Sequence, residues 1–211
     1  MRHIIVTRLG IGINRPSFYD VHISLLEKTI FQSLKSQTCT EFEWVIAIDS
    51  RIDSYSLERL QDLLCPFNNF RIITVDPLAT YSLNPGMKAI VGSEIGDTRL
   101  AMSRIDDDDA VSVDFVATVK KIAPSCGPAV IAFEHGIEIM PEQNTGGRVT
   151  HDSIAIGLTV ISDEDDPINI YSQNHRKWRE RMNTIGGSYI LSQNKDAYIH
   201  VRWGNSDSHE G

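Results

Sequence analysis

The chain has 211 residues, a formal net charge of −8, and 41% hydrophobic against 23% charged residues. This is the composition of an ordinary globular protein long enough to bury a substantial core. Acidity without a long Lys/Arg run argues against a dedicated nucleic-acid binder.

Three widely spaced cysteines, Cys39, Cys65 and Cys126, contain no CxxC pair. They suggest neither a zinc ribbon nor a disulfide framework, and buried inert thiols are expected. The opening Met1-Arg2-His3-Ile4-Ile5-Val6 is too short for a secretory apolar region and runs into polar Thr7-Arg8. No apolar run approaches roughly twenty residues, so no spanning helix is expected. The expectation is a cytoplasmic protein, with peripheral contact at the inner face of the membrane left open.

Residues 3–7 read as a buried strand, followed by a loop from Gly10 to Pro16. Ile23, Leu26, Ile30 and Leu34 form one helix face. Trp44 to Ile48 is a continuous apolar run closing in Asp49, a second strand. Leu57, Leu60 and Leu64 mark another helix, and Arg71 to Val75 a third strand. This β-α-β-α-β order is that of a parallel sheet covered by helices. Residues 77–98, with Pro77, Pro85, Gly86, Gly92 and Gly96, read as a long irregular connection.

Leu100 to Ile105 reads as a strand, Val113 to Ile122 as a helix, and Pro128 to Phe133 as a strand. Residues 141–152 read as a Gly-rich loop and Ser153 to Ser162 as a strand. Tyr171, His175, Trp178 and Met182 fall at helical spacing among Arg176, Lys177, Arg179 and Arg181. That basic segment reads as an amphipathic helix with a charged outer face, or as a contact for a phosphorylated acceptor or a membrane surface. Gly186 to Ser192 and Tyr198 to Trp203 read as late strands. One α/β domain spanning 1–211 is expected, with a polar tail at about 205–211.

The most unusual string is Asp106-Asp107-Asp108-Asp109, set between an apolar strand and a helix. Adjacent carboxylates repel, and a hard divalent cation such as Mg2+ or Mn2+ relieves the repulsion. At the end of a buried strand such acids stand where α/β sheets bind ligands, so the run reads as a metal–diphosphate site. Asp106 and Asp108 are the expected pair; a slip of one residue would make it Asp107 and Asp109. The alternative is a solvated acidic loop capping the next helix. An EF-hand is excluded, because Val111 and Ala117 occupy the positions that require Gly and Glu.

Asp49 ends the second strand, another place that faces a ligand crevice, or else it caps a turn. The Thr7-Arg8-Leu9-Gly10 loop is expected over the same crevice, with Arg8 offering a guanidinium fork to phosphate. Arg104 interrupts an apolar strand just before the acids, and would pair with a carboxylate or a diphosphate. His200, on a late strand, is a candidate third metal ligand or a structural histidine.

Three segments in this order resemble the family 2 type glycosyltransferases of GT-A fold. Gln32-Ser33-Leu34-Lys35-Ser36-Gln37-Thr38 with Phe42 to Asp49 is similar to their opening helix–strand unit. Arg104-Ile105-Asp106-Asp107-Asp108-Asp109-Ala110 resembles their DxD element, and His200 to Ser206 their late His segment. The Arg-x-Asp-x-Asp-Asp-Ala string is most similar to the bacterial rhamnosyltransferase group.

The resemblance implies a GT-A-like, mixed, mostly parallel sheet flanked by helices. It implies a metal-dependent, inverting transfer from a UDP- or dTDP-linked sugar to a glycan or other hydroxyl acceptor, as in polysaccharide biosynthesis. It places Asp108 on Mn2+ or Mg2+, Asp106 on the ribose or on the metal through water, and Asp49 on the base or ribose. It puts Thr7, Arg8 and Arg104 around the nucleotide sugar and His200 on metal or phosphate. A general base is expected before a late helix, where Asp165 and Asp166 are the nearest match and Glu134 and Asp152 the other candidates. Two other readings stand beside it: a nucleotidyltransferase or related phosphoryl-transfer enzyme, and a degenerate, non-catalytic binding module.

Overall fold

The computed structural model describes residues 1–76, 83–92, 99–151, 154–163 and 166–203. Strands β1 (Arg2–Leu9), β2 (Glu43–Asp49), β3 (Phe70–Val75) and β4 (Arg99–Arg104) come first, followed by the short β5 (Ala110–Val111). Then come β6 (Ala129–Phe133), β7 (His135–Met140), β8 (Thr145–Thr150), β9 (Thr159–Asp163), β10 (Ser188–Ser192) and β11 (Tyr198–Val201). The helices are α1 (Pro16–Lys28), α2 (Ile30–Lys35), α3 (Ser54–Leu64), α4 (Met87–Val91), α5 (Phe115–Ile122) and α6 (Trp178–Thr184).

Seven strands form one sheet in the order β10-β6-β9-β4-β1-β2-β3. Only β9 runs against its neighbours. This is the mixed, mostly parallel sheet expected. Both its faces are covered, which is why β1 and β2 read as near-continuous apolar runs and not as alternating ones. One face packs Ile5, Trp44 and Ile46 against α1, α2, α3 and α5. The other packs Ile4, Val6 and Met102 against α4, the turn at 170–172 and α6. Strand order reverses between β1 and β4, and in such sheets the ligand crevice usually lies outside the carboxyl ends at that point.

The four-stranded sheet β5-β11-β7-β8 lies beside the carboxylate run. Its edge corrects the sequence reading: residues 141–152, expected as a loop, contain a 3-10 turn at Pro141–Gln143 and strand β8 paired along β7. Strand β8 is almost wholly exposed, so it carries no apolar alternation to reveal it. Gly136 on β7 lets the chain pass against the Tyr198 ring, where a Cβ would collide.

The expected single helix over Ile23 to Leu34 breaks at Thr29, whose backbone leaves helical geometry. The Thr29 hydroxyl donates to the Leu25 carbonyl (2.8 Å) and the Asp107 carbonyl (3.1 Å), tying the break to the acidic run. The strand expected over Ser153 to Ser162 is confined to β9, and the basic helix to α6 after a 3-10 turn at His175–Lys177. Trp178 and Met182 are buried while Arg176, Lys177, Arg179 and Arg181 face outward, as an amphipathic helix requires. All three cysteines are free, and Cys65 and Cys126 are exposed, against the expectation of burial. Among the described residues no helix is long and apolar enough to cross a membrane.

Gln37, singled out by the resemblance, has a structural task. It is buried just beyond α2; its amide donates to the carbonyls of Ser33 (3.0 Å) and Ser112 (2.7 Å) and accepts from the Val116 N–H (3.0 Å). Asp114 at the start of α5 makes no capping bond, so Gln37 supplies the acceptor that this helix end lacks.

Candidate active site

Parallel register and alternation build the cationic wall of the crevice. Val6 pairs with Arg104 and Ile4 with Met102, so Ile4, Val6 and Arg8 share a face with Leu100, Met102 and Arg104. Arg8 and Arg104 are therefore where two buried apolar stripes end at the mouth of the sheet. Both guanidinium carbons lie over the Tyr171 ring, 4.6 Å and 5.2 Å from its centre.

Arg104 grips Asp106 with two bonds, Nε to Oδ1 at 3.3 Å and Nη2 to Oδ2 at 2.9 Å. Burial would raise the Asp106 carboxyl, but Arg104, with Arg8 and His175 behind it, holds it below its ordinary value. The expected pairing of Arg104 with a carboxylate is present, and Asp106 is an anion.

The other acids behave differently, because Asp107 and Asp108 form a turn and not an extended segment. Asp107 turns toward α1, where its Oδ2 meets His22 Nδ1 at 2.5 Å, and the His22 ring stacks on Phe18. Burial lifts Asp107 above its ordinary value against the pull of His22. Burial, then repulsion from Asp107 and Asp106, pushes Asp108 up to about 7. Burial, then Asp108, raises Asp109 as well, although its Oδ1 accepts from the Val201 N–H at 3.2 Å.

The remaining expected residues are placed less uniformly. Thr7 points to the opposite face, fully buried, where its hydroxyl accepts from the Trp44 indole N–H at 3.0 Å. That hydroxyl faces the core and not the crevice. Asp49 is fully buried; it accepts from Gly12 N–H (2.8 Å), Arg51 N–H (2.8 Å) and the Arg51 guanidinium (3.0 and 2.9 Å). The Arg51 fork leads the causes that hold it below its ordinary value. Asp49 therefore shapes the loop after β1 and presents Arg51 at the surface. That loop turns at Gly10, whose φ of +65° and contact with the Tyr19 ring leave no room for a Cβ.

His200 lies on β11 next to Val201. Its Nδ1 is 3.5 Å from Glu138 Oε2, which also pairs with Arg202 Nε at 3.0 Å. Burial, then Arg202, keeps its imidazole below its ordinary value and hence neutral. Among the described residues no three His, Cys, Asp or Glu side chains converge as a metal cage. The expected set of Asp106, Asp108 and His200 is therefore not assembled.

Asp166 lines a cavity with Pro128, Ser162, Asp163 and Arg181. Asp163 pairs with Arg99 at the start of β4, whereas Asp106 follows its end. A strand of this length puts roughly 15–20 Å between Asp163 and Asp106. Asp165, with Asp152, Gly204, Asn205 and Ser206, lies outside the described residues. Glu134 is bonded to the Gln193 amide and sits 3.5 Å from His135.

Tyr171 enters the sequence reading only through its helical spacing with His175, Trp178 and Met182, and no local pattern marks His22. His175 was read only as part of a basic helix, yet its electrostatic partners include Arg104 and Asp106.

The fold is shared with solved structures of TarS from S. aureus. Residues 1–349 of TarS in complex with UDP-GlcNAc match at 12% identity and a TM-score of 0.61, over 100% of this chain and 61% of that one. The complex with UDP matches at 12% identity and a TM-score of 0.59, over 96% of this chain and 61% of that one. The chain thus spans about three fifths of those TarS structures. A search of curated proteins found no match. Residues 16–210 match the family described as "Putative rhamnosyl transferase". With a GT-A-like sheet and nearly the whole chain inside that match, the protein belongs to this family of glycosyltransferases.

Proposed function

We propose that the protein transfers a sugar from a UDP- or dTDP-linked donor to a hydroxyl group of a glycan or similar acceptor. The observation that carries this reading is that Arg8 and Arg104 stand together at the mouth of β1 and β4, with Arg104 gripping Asp106 at the head of the Asp106–Asp109 run. A diphosphate needs cationic forks on one side and a metal on the other, and this crevice has groups suited to both. The presence of UDP and UDP-GlcNAc in the similar TarS structures favours uridine as the base.

The donor set fits a hard divalent cation. Asp108 and Asp109 are crowded, desolvated carboxylates that bind protons too readily, the condition a dication relieves. Asp106 is already engaged by Arg104, so Asp108 is the proposed principal ligand, with Asp109 beside it. Mg2+ and Mn2+ are commonly held by one or two carboxylates plus substrate phosphates, so a three-residue cage is not required. When bound there, the ion would supply electrostatic stabilisation of the leaving diphosphate.

Arg8 and Arg104 orient the diphosphate. The acceptor oxygen forms its bond to the anomeric carbon as the bond from that carbon to the diphosphate oxygen breaks. The electron pair departs with the nucleoside diphosphate and the hydroxyl proton passes to a base. One displacement inverts the anomeric centre.

Asp108→Asn tests the assignment. Metal-dependent UDP affinity should fall at least tenfold with the thermal midpoint kept or raised, because a crowded charge is removed. Unchanged affinity in a folded variant would overturn the metal site.

A further inference from the structure

We propose that Tyr171 is a positioning residue, holding the Arg8 and Arg104 guanidinium groups as one paired receptor for the donor's diphosphate. The inference rests on the nucleotide-sugar reading above and names the element that pre-forms its phosphate site. Arg8 and Arg104 come from adjacent parallel strands and share a face. Two cations on neighbouring strand ends repel and would splay into water unless something held them. Tyr171 lies within cation–π range of both.

The ring is itself fixed at both ends. Its hydroxyl donates to the Val6 carbonyl at 3.0 Å, the same carbonyl that accepts from Ile105 N–H where β1 meets β4. Its backbone N–H donates to Asn169 Oδ1 at 2.9 Å, and the Asn169 amide donates to Asn84 Oδ1 at 2.6 Å. Tyr171 is only 7% exposed, packed with Val6, Met102 and Ile170. A buried, doubly anchored aromatic face fixes guanidinium planes that would otherwise sample many rotamers. Fixing them beforehand lowers the ordering cost when an anion with two phosphates arrives. Asp106 also holds Arg104 through two bonds, so that fork is set by ring and carboxylate together.

The test compares equilibrium binding of UDP and of uridine at fixed Mn2+ in wild type, Tyr171→Phe and Tyr171→Leu, with thermal melting of each. Phe keeps the ring but gives up the hydroxyl anchor, and should lower the UDP-to-uridine affinity ratio by clearly less than Leu does. Leu should lower that ratio at least tenfold while uridine affinity stays within twofold. A role in packing alone would weaken both ligands together and leave the ratio unchanged, which would overturn the proposal. If Tyr171→Leu melts without cooperativity, Arg8→Lys takes its place: the charge remains but the stacked plane is lost. The ratio should again fall at least tenfold, and an unchanged ratio there refutes the paired receptor. Wild type that binds uridine as well as UDP would instead refute the donor reading, and this inference with it.

Discussion

Replacing His3 by glutamine should make the stability of the protein less sensitive to acid. His3 is 1% exposed on β1, and its Nε2 lies 2.7 Å from Ser103 Oγ on β4. Ser103 Oγ lies 2.6 Å from Thr159 Oγ1 on β9, which donates to the Gly157 carbonyl at 2.9 Å. The carbonyl can only accept, so the direction of the chain is fixed: Nε2–H donates to Ser103, Ser103 to Thr159, Thr159 to Gly157. Nδ1 is then the bare nitrogen, and it is buried without a hydrogen-bond partner. Protonating it would create a charge and an unsatisfied N–H in the core. Burial, with Lys120 adding to it, accordingly lowers the His3 pKa from 6.5 to about 3.

The sign follows from proton counting. Between those values the unfolded chain holds a proton on this ring that the folded protein refuses, so stability rises with pH in that window. The contribution is complete above 6.5 and is lost as pH falls toward about 3. The slope is about 1.4 kcal/mol per pH unit, and the full span is on the order of 5 kcal/mol. Denaturant unfolding of wild type and His3→Gln from pH 7 to 4.5 isolates the effect, since the acids common to both cancel in the difference. Wild type should lose about 2–3 kcal/mol more than the variant over that range. A difference that stays flat would refute the neutral buried ring.

Gln37→Leu should cost about 2 kcal/mol or more in urea unfolding, because it strips partners from the Val116 N–H and the Ser112 carbonyl. A loss within 0.5 kcal/mol, roughly that of a neutral surface change, would deny that Gln37 caps α5. Gly136→Ala should lower the thermal midpoint through collision with Tyr198, at about 1–3 kcal/mol, and an unchanged midpoint would mean that the ring moves freely aside.

What the sequence discloses follows from where the physical cause of each feature lies. Strands β1, β2 and β4 were legible because sheets covered on both faces demand unbroken apolar runs. The acidic run was legible because its cost is local: four like charges stand in sequence wherever the chain goes. The β8 hairpin edge was not, because its strand is defined by pairing with β7 and not by burial. At the Thr29 break the hydroxyl reaches a carbonyl 78 residues away, a contact beyond any helical periodicity.

The same division runs through the site. Arg8, Arg104 and Asp106 stand out in the sequence because they are charges on apolar strands or beside them. Tyr171 and His22 enter only through tertiary packing, and their sequence neighbours look like ordinary helix or turn. Asp49 and Thr7 have local partners that the sequence does not announce, Arg51 for one and Trp44 for the other. The acidic residue Asp166 suits a general base by composition, and its neighbour Asp163 pairs at the start of β4, a strand's length from Asp106.

The central claim is that this crevice binds a nucleoside diphosphate with a metal. The most direct test is calorimetric titration of UDP and of dTDP into metal-free protein, with and without Mn2+. Binding of either nucleotide that strengthens at least tenfold with Mn2+ is the expected result, and the tighter base identifies the donor class. Folded protein that binds neither nucleotide, or binds one equally well without metal, would contradict the account.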